Sequence, residues 1–169
     1  MERESSDDAR ERTIRWSETG SGLAALPRMS GLDFLRAIRD GELPPAPISS
    51  PMLMQLEEVD DGRVAFSCEP DESLYNPIGS VHGGVMCTIL DSALGCAAHS
   101  TLAAGSGYTS IEIKVNYLRP VQIAAGRLTA IGRVTKRGRR VIFAEGEVTD
   151  VQGSIVATAS SSLLVFPLA

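Results

Sequence analysis

The sequence predicts an α+β protein in which an antiparallel sheet of about six strands wraps around one long central helix. Two observations lead to this prediction. Short segments of strand-like composition follow one another through turns of the kind that join antiparallel hairpins. They stand on both sides of one long run of small and apolar residues, 85–104, which predicts the helix. The length of 169 residues accommodates one compact domain with a modest appendage.

The appendage is expected at the N-terminus. Residues 1–28 mix charged residues, serine and glycine with few apolar residues, which predicts a solvated and loosely ordered arm. A polar capping residue and apolar residues at near-helical spacing predict a short helix over 30–40. The proline-rich segment 44–51 is typical of an extended linker. We therefore expect an arm over residues 1–51 and the main domain over residues 52–169.

The main domain is predicted to have two strands before the central helix and four after it. The predicted strands cover 53–59, 63–69, 108–118, 126–136, 140–149 and 154–166. In the first strand after the helix, two sets of residues alternate and are expected on opposite faces of the sheet: Ile111, Ile113, Val115 and Tyr117 on one, and Ser110, Glu112, Lys114 and Asn116 on the other.

The central helix carries one formal charge, that of Asp91, among apolar and small residues on all sides. Such a helix must be surrounded by protein, and we expect a partner subunit to cover the side that the sheet leaves open. Asp91, His99 and several hydroxyl groups argue against a membrane span. An unpaired buried carboxylate is costly, so Asp91 is either a hydrogen-bonded group at a solvated helix edge or a functional one.

His82, Gly83 and Gly84 stand immediately before the helix. The first N–H groups of a helix have no intrahelical acceptor, and glycine leaves them unshielded for a developing oxyanion. Alternatively, the glycines only allow a close approach to a neighbouring strand. Asn76, in an Asn-Pro pair, could donate to the same oxygen or hold a water, or it could serve only as a turn residue.

Gly83 and Asp91 lie eight residues apart, which corresponds to about 12 Å along one helix. One reacting carbonyl cannot touch both. If both act on the same carbonyl, they must come from two subunits, as a two-fold dimer with antiparallel helices would allow. On that condition the sequence predicts a homodimer with active sites across its interface.

Composition argues against several classes of function. A net charge of −5 and eight aromatic residues disfavour nucleic-acid binding. Three cysteines, Cys68, Cys87 and Cys96, match neither a disulfide framework nor paired zinc ligands, and two histidines are too few for a multi-histidine metal site. The charged N-terminus lacks the apolar stretch of a secretory signal. We expect a cytoplasmic protein without metal or membrane partner.

The string NPIGSVHGGVMCTILDSALG at 76–95, followed by YTSIEIKVNYLRP at 108–120, resembles the hotdog-fold acyl-CoA thioesterases, especially the phenylacetate-pathway (PaaI-like) branch. The likeness runs from about residue 52 to residue 166. The resemblance implies a hotdog fold and hydrolysis of an acyl-CoA, with an aryl or medium-chain acyl group. It implies no separate cofactor, because coenzyme A is part of the substrate. It is also consistent with a dimer of dimers.

The resemblance assigns roles to individual residues. Asp91 would be the general base or nucleophile, and the Gly83 amide would contact the thioester carbonyl. Asn76 and His82 would position the carbonyl or the sulfur. Ser110 would orient water, or Thr109 if the alignment slips by one residue. Two alternatives stay open: a dehydratase or hydratase in which His82 acts directly, and a non-catalytic acyl-CoA-binding protein.

Basic residues are candidates for binding the coenzyme. Four of them surround one glycine at a predicted hairpin: Lys136, Arg137, Arg139 and Arg140. A fifth, Arg119, precedes Pro120. Together with Gly84 at the helix start, these five residues are the predicted substrate-binding set. Such groups suit the pyrophosphate and ribose phosphate of coenzyme A. The alternative is a solvated turn.

Overall fold

A computed structural model describes residues 9–168 and shows an antiparallel sheet curved around one helix. The helices are α1 (Gly20–Ala25), α2 (Gly31–Arg39) and α3 (Gly83–His99), and the strands are β1 (Met54–Asp60), β2 (Arg63–Cys68), β3 (Ser106–Tyr117), β4 (Leu128–Arg137), β5 (Val141–Thr149) and β6 (Ile155–Pro167). The predicted α+β class is confirmed, and each predicted strand is found within about two residues of its expected ends.

The six strands form one sheet in the order β1-β2-β4-β5-β6-β3, with every neighbouring pair antiparallel. The connection from β2 to β3 contains α3, which lies along β3: Gly83 is near Tyr117, Asp91 near Ser110 and Gly95 near Tyr108. Strands β1 and β3 are therefore the two edges, and within residues 9–168 no strand pairs with the outer side of β3.

Helix α3 fits into the concave face because small residues line the contact. Ten residues of α3 are buried, and Ala93, Leu94 and Ala97 are fully so. Strand β4 approaches the helix at Gly132, where a Cβ atom would lie 2.3 Å from the carbonyl oxygen of Ala93. Only glycine allows this approach, which brings the sheet close enough to cover the helix on most sides.

The central helix is shorter than the predicted 85–104, because it ends at His99, although it begins two residues earlier, at Gly83. The hydroxyl groups of Ser100 and Thr101 donate at 2.8 Å to the carbonyl oxygens three residues earlier. The Leu102 N–H then closes a tight turn on the His99 carbonyl at 2.9 Å. Hydroxyl groups thus compete for the last helical carbonyls, a local effect that the apolar run did not reveal.

The alternation predicted for β3 is interrupted by a bulge. Its pairing with β6 shifts between Ser110 and Glu112, which leaves Ile111 as an extra residue that is 56% exposed. Ser110 faces α3 before the bulge, and Tyr117 faces α3 after it. The prediction that these two residues occupy opposite faces is wrong, because one inserted residue reverses the facing of every later side chain.

The N-terminal segment packs on the domain. Helix α2 begins at Ser30, whose hydroxyl accepts from the Asp33 N–H at 3.1 Å, as predicted for a capping residue. The Gly31 N–H donates to the Leu102 carbonyl at 2.9 Å, and Leu35 is buried. Helix α2 therefore lies against the C-terminal end of α3 and the edge strand β1.

The described part of the arm is more ordered than the sequence predicted. The Arg12 guanidinium donates to the Pro51 carbonyl at 2.7 Å and pairs with Asp71 at 3.4 Å. The Ser50 hydroxyl donates to the Arg15 carbonyl at 2.7 Å, and residues 20–25 form α1. The expected loosely ordered arm is therefore wrong for residues 9–28, and its first eight residues lie outside the described chain.

His99 makes the stability of the fold dependent on pH. Its ring is 7% exposed and lies 5.6 Å from the ring of Phe34 and 5.5 Å from that of Tyr108, centroid to centroid. Burial lowers the pKa of His99 from 6.5 to about 4. The unfolded chain therefore gains a proton below pH 6.5 that the folded chain gains only near pH 4, and folding stability is lost as the pH falls through this range.

We expect His99 to account for up to about 3 kcal/mol of this loss, since one pKa unit corresponds to about 1.4 kcal/mol. Urea unfolding at pH 7 and at pH 4.5 measures the effect. In His99→Phe the free energy of unfolding should change less between the two pH values than in the unsubstituted protein. Equal changes in both proteins would contradict the assignment to His99.

Candidate active site

Asp91 lies on the face of α3 that the sheet leaves open, and its side chain is exposed in the single chain. The Ser110 hydroxyl donates to Asp91 Oδ1 at 2.8 Å. Among the described residues, Oδ2 accepts no hydrogen bond and Thr109 makes none to Asp91. Ser110 precedes the bulge in β3 and shares the helix-facing side of the strand with Tyr108. Of the two residues that the alignment left open, Ser110 is the one in contact with the carboxylate.

His82 caps the N-terminus of α3. The His82 Nδ1 accepts from the Gly84 N–H at 2.9 Å, and the backbone N–H of His82 donates to the Leu74 carbonyl at 2.8 Å. The Gly84 amide is therefore engaged, whereas the Gly83 N–H has no acceptor within residues 9–168. With Nδ1 accepting, Nε2 is the nitrogen that can donate to a ligand. The helix start offers one free amide at its positive end.

Asn76 organises the loop that leads into α3. Its Oδ1 accepts from the N–H groups of Ile78 and Ser80 at 3.1 and 3.2 Å, and its Nδ2 donates to the Ser80 hydroxyl at 3.0 Å. The carboxamide is thus largely occupied within its own loop. One N–H of Nδ2 remains for a ligand.

A groove of about 260 Å³ lies beside Gly83. The ring of Tyr117 forms one wall, so close that a Cβ atom at Gly83 would lie 3.1 Å from it. Arg119 lines the same groove. Sequence reasoning did not single out Tyr117. The available signal was the position of Tyr117 near Arg119 in the string NYLRP. The contact of Tyr117 with the helix start depends on the bulge in β3, which the sequence did not show.

The basic hairpin lies at the other end of the sheet. The Val165 N–H donates to the Arg140 carbonyl at 2.8 Å, near the C-terminal end of β6, and that end of β6 pairs with the beginning of β3. Arg119 follows the end of β3. Arg137 forms an ion pair with Asp61 at 2.8 Å. The remaining basic residues of the hairpin are exposed: Lys136, Arg139 and Arg140.

One chain does not bring all the predicted site residues together. Gly83 and Asp91 lie on the same straight helix, about 12 Å apart along its axis. Asn76, His82, Gly83, Gly84 and Arg119 gather at the N-terminal end of α3, Asp91 and Ser110 meet at its middle, and the basic hairpin lies beyond its C-terminal end.

The described residues show neither a metal centre nor a membrane-spanning helix. Within residues 9–168 no three His, Cys, Asp or Glu side chains are grouped so that they could hold a metal ion. No helix in that range is long and apolar enough to cross a bilayer.

The architecture matches solved structures closely. A protein of Ralstonia eutropha JMP134, described as a candidate thioesterase related to phenylacetic acid degradation, superposes with a TM-score of 0.70 at 27% identity over 77% of this chain and 98% of that one. Six antiparallel strands curved around a central helix, as in such thioesterases, are the hotdog fold.

Sequence comparison agrees with the fold. The model of the family described as Thioesterase superfamily matches residues 78–157. A candidate esterase of Halobacterium salinarum is 32% identical over 124 residues, covering 67% of this chain and 80% of that protein. Human acyl-coenzyme A thioesterase 13 is 25% identical over 97 residues, covering 57% and 68%. The chain belongs to the thioesterase superfamily.

Proposed function

We propose that this protein hydrolyses acyl-CoA thioesters to a free acid and coenzyme A. The observation that carries the proposal is an accessible carboxylate, Asp91, held by the Ser110 hydroxyl at 2.8 Å on the same helix that begins with the unoccupied Gly83 amide. A base or nucleophile and an oxyanion donor are the two components that acyl transfer from a thioester requires. The similarity to human acyl-coenzyme A thioesterase 13 supports the choice of substrate.

The proposed catalytic unit is a homodimer whose two α3 helices run antiparallel. Several features of the single chain support it: an unpaired β3 edge, the 56%-exposed side chains of Ile111 and Tyr117, and the open face of α3. Antiparallel helices would bring Asp91 of one subunit toward Gly83 of the other. The same symmetry would place the basic hairpin of one subunit at the same end as Arg119 of the other. A dimer of dimers stays a prediction.

In the proposed reaction, Asp91 acts as general base or nucleophile. As a base it takes a proton from water while the water oxygen bonds to the carbonyl carbon, and the resulting oxyanion accepts from the Gly83 N–H. The C–S bond then breaks, the carbonyl re-forms, and the thiolate takes up the proton that Asp91 received, which restores the carboxylate. Ser110 orients the Asp91 carboxylate. Asn76 holds the loop before α3, and His82 can donate from Nε2 to the substrate. The reaction uses no separate cofactor.

We propose that the phosphates of coenzyme A bind to Lys136, Arg139 and Arg140 of one subunit and Arg119 of the other. Guanidinium and ammonium groups suit phosphates, and these four side chains are exposed. Arg137 already pairs with Asp61, so it contributes less unless that pair opens. The Gly84 N–H is engaged by His82, so Gly84 would contribute by leaving the helix start free of a side chain.

A substrate panel tests the proposal. Purified protein is incubated with acyl-CoAs from acetyl to dodecanoyl and with phenylacetyl-CoA, and released thiol is measured. We expect thiol release from at least one of them. Binding of coenzyme A without release would favour the non-catalytic alternative. An enoyl-CoA is incubated separately, and its hydration at an intact thioester would favour the hydratase in which His82 acts directly.

The contribution of Ser110 is separable from that of its neighbour. In Ser110→Ala the carboxylate loses its orienting hydrogen bond, and we expect kcat to fall about tenfold, the equivalent of about 1.4 kcal/mol. Thr109→Ala, which removes an exposed hydroxyl from the next residue along β3, is the matched control and should leave kcat unchanged. Equal effects of the two substitutions would contradict the role of Ser110.

A further inference from the structure

A cleft of about 510 Å³, named here the α2 cleft, lies between helix α2, the linker that follows it and strand β1. Its walls are mainly apolar, with Leu35 and Ile38 from α2, Met54 and Leu56 from β1, Phe66 from β2 and Cys96 from α3. The volume lies within the range of pockets that hold small organic ligands. The arm residue Arg15 also borders it, so the N-terminal segment supplies much of the wall.

The α2 cleft begins close to the proposed active site. Cys96 follows Asp91 by five residues on α3, which corresponds to about 7.5 Å along the axis. Helix α2 is fixed over the C-terminal half of α3, since the Gly31 N–H donates to the Leu102 carbonyl beyond the helix end and the Phe34 ring packs against His99. Cys96 lies about 140° around the helix axis from Asp91, but the charge of Asp91 contributes to the raised pKa of the Cys96 thiol, so this wall of the cleft is within electrostatic reach of the carboxylate.

The deep part of the α2 cleft is apolar, and its charged lining residues, Arg15, Arg39 and Glu57, are exposed or half-exposed. Leu35, Met54 and Phe66 are each at most 6% exposed, so the deep wall is hydrocarbon. Burial raises the pKa of the Cys96 thiol to about 12, so this group stays neutral. The exposed lining residue Arg39 is paired with Asp40 at 2.8 Å. Binding of an apolar ligand there would bury hydrocarbon surface and would leave few polar groups without a partner.

We infer that the α2 cleft binds the acyl group of the thioester and selects an uncharged, apolar acyl group larger than acetyl. The inference rests on the proposed function, because a thioester reacting at Asp91 places its acyl chain within reach of the Cys96 wall of the cleft. A groove of similar volume on the convex face of the sheet is lined by Lys114, Arg133, Glu145 and Glu147 and does not suit hydrocarbon. The N-terminal segment is therefore a specificity element of the enzyme.

Two methionines provide internal reporters for the location of the acyl chain. Met54 lines the α2 cleft, whereas Met86 lines the groove beside Gly83, and both side chains are buried. The full-length Asp91→Asn variant, labelled with ¹³C at the methionine methyl groups, is titrated with decanoyl-CoA and separately with coenzyme A. We expect decanoyl-CoA, but not coenzyme A, to shift the Met54 methyl resonance saturably.

The possible results separate the two proposals. A shift of Met86 with decanoyl-CoA while Met54 stays unchanged would overturn the inference and leave the proposed function intact. If neither methyl resonance shifts with either reagent, the result counts against both the proposed function and the acyl site. The substrate panel then decides the function independently of this titration.

Kinetics provides the second readout. Ile38→Trp fills the α2 cleft, and we expect kcat/KM for decanoyl-CoA to fall at least about tenfold relative to that for acetyl-CoA. Ala46→Trp, at an exposed position of the lining, gives a second variant in case the first does not fold. Leu23→Trp, which adds the same ring on α1 outside the cleft, is the control and should leave the ratio unchanged. An unchanged ratio in both cleft variants would overturn the inference.

Discussion

In Asp91→Asn, kcat for acyl-CoA hydrolysis is expected to fall at least about 10²-fold, the low end for loss of a positioned acid–base group. The asparagine oxygen can still accept from the Ser110 hydroxyl, so the geometry of the site is kept, but the amide can neither take a proton from water nor attack the carbonyl. Asp91 is exposed in the single chain, so the fold does not depend on its charge. Steady-state thiol release on the best substrate of the panel measures the effect.

Glu145→Gln is the control for the charge alone. Glu145 is exposed on β5, and the substitution removes one carboxylate far from α3. Its kcat should equal that of the unsubstituted protein, and the melting temperatures of all three proteins should agree. An Asp91→Asn protein that folds, forms the same oligomer and keeps its full kcat would remove Asp91 from the mechanism.

The second large effect concerns the Gly83 amide, which Gly83→Pro removes. Proline is well tolerated at the first position of a helix, because the N–H it lacks has no intrahelical acceptor. The preceding residue, His82, already has φ −61° and ψ 135°, an extended conformation that suits a residue before proline. We expect kcat to fall about 10²- to 10³-fold, the magnitude known for loss of one oxyanion donor.

Gly83→Ala is the matched control. Both substitutions add a Cβ atom at about the same place, 3.1 Å from the Tyr117 ring, so any displacement of that ring is common to both. Alanine keeps the amide, so its kcat should remain within about threefold of the unsubstituted value, a loss of less than 1 kcal/mol. If alanine and proline reduce kcat equally, the effect is steric and the Gly83 N–H is not the oxyanion donor.

Patterns that depend on neighbouring residues along the chain predicted much of the fold. Strands show apolar residues at a period of two, helices show them at a period of three to four, and hairpin turns have characteristic residues. The six strands and α3 were therefore predictable. The bulge at Ile111 was not, because a bulge is decided by the pairing of β3 with β6, a contact between distant parts of the chain. Strict alternation consequently placed Ser110 on the wrong face.

The candidate site was predictable in its residue types and less so in its hydrogen bonds. Asp91 and Gly83 stood out because a lone charge and a glycine pair are unusual in and before an apolar helix. That His82 engages the Gly84 amide, and that Asn76 is largely occupied within its own loop, depends on side-chain torsions that spacing does not encode. The α2 cleft escaped sequence analysis because its walls come from four separate elements.

The central claim is that each active site combines Asp91 of one subunit with Gly83 of its twin, and mixed dimers test it directly. Asp91→Asn and Gly83→Pro chains carrying different affinity tags are co-expressed, and the mixed species is isolated by both tags. Sites shared between subunits predict one unaltered site per mixed dimer and about half the activity of the unsubstituted protein. A mixed dimer no more active than the two parent variants would show that both residues serve a site within one chain, which contradicts the claim.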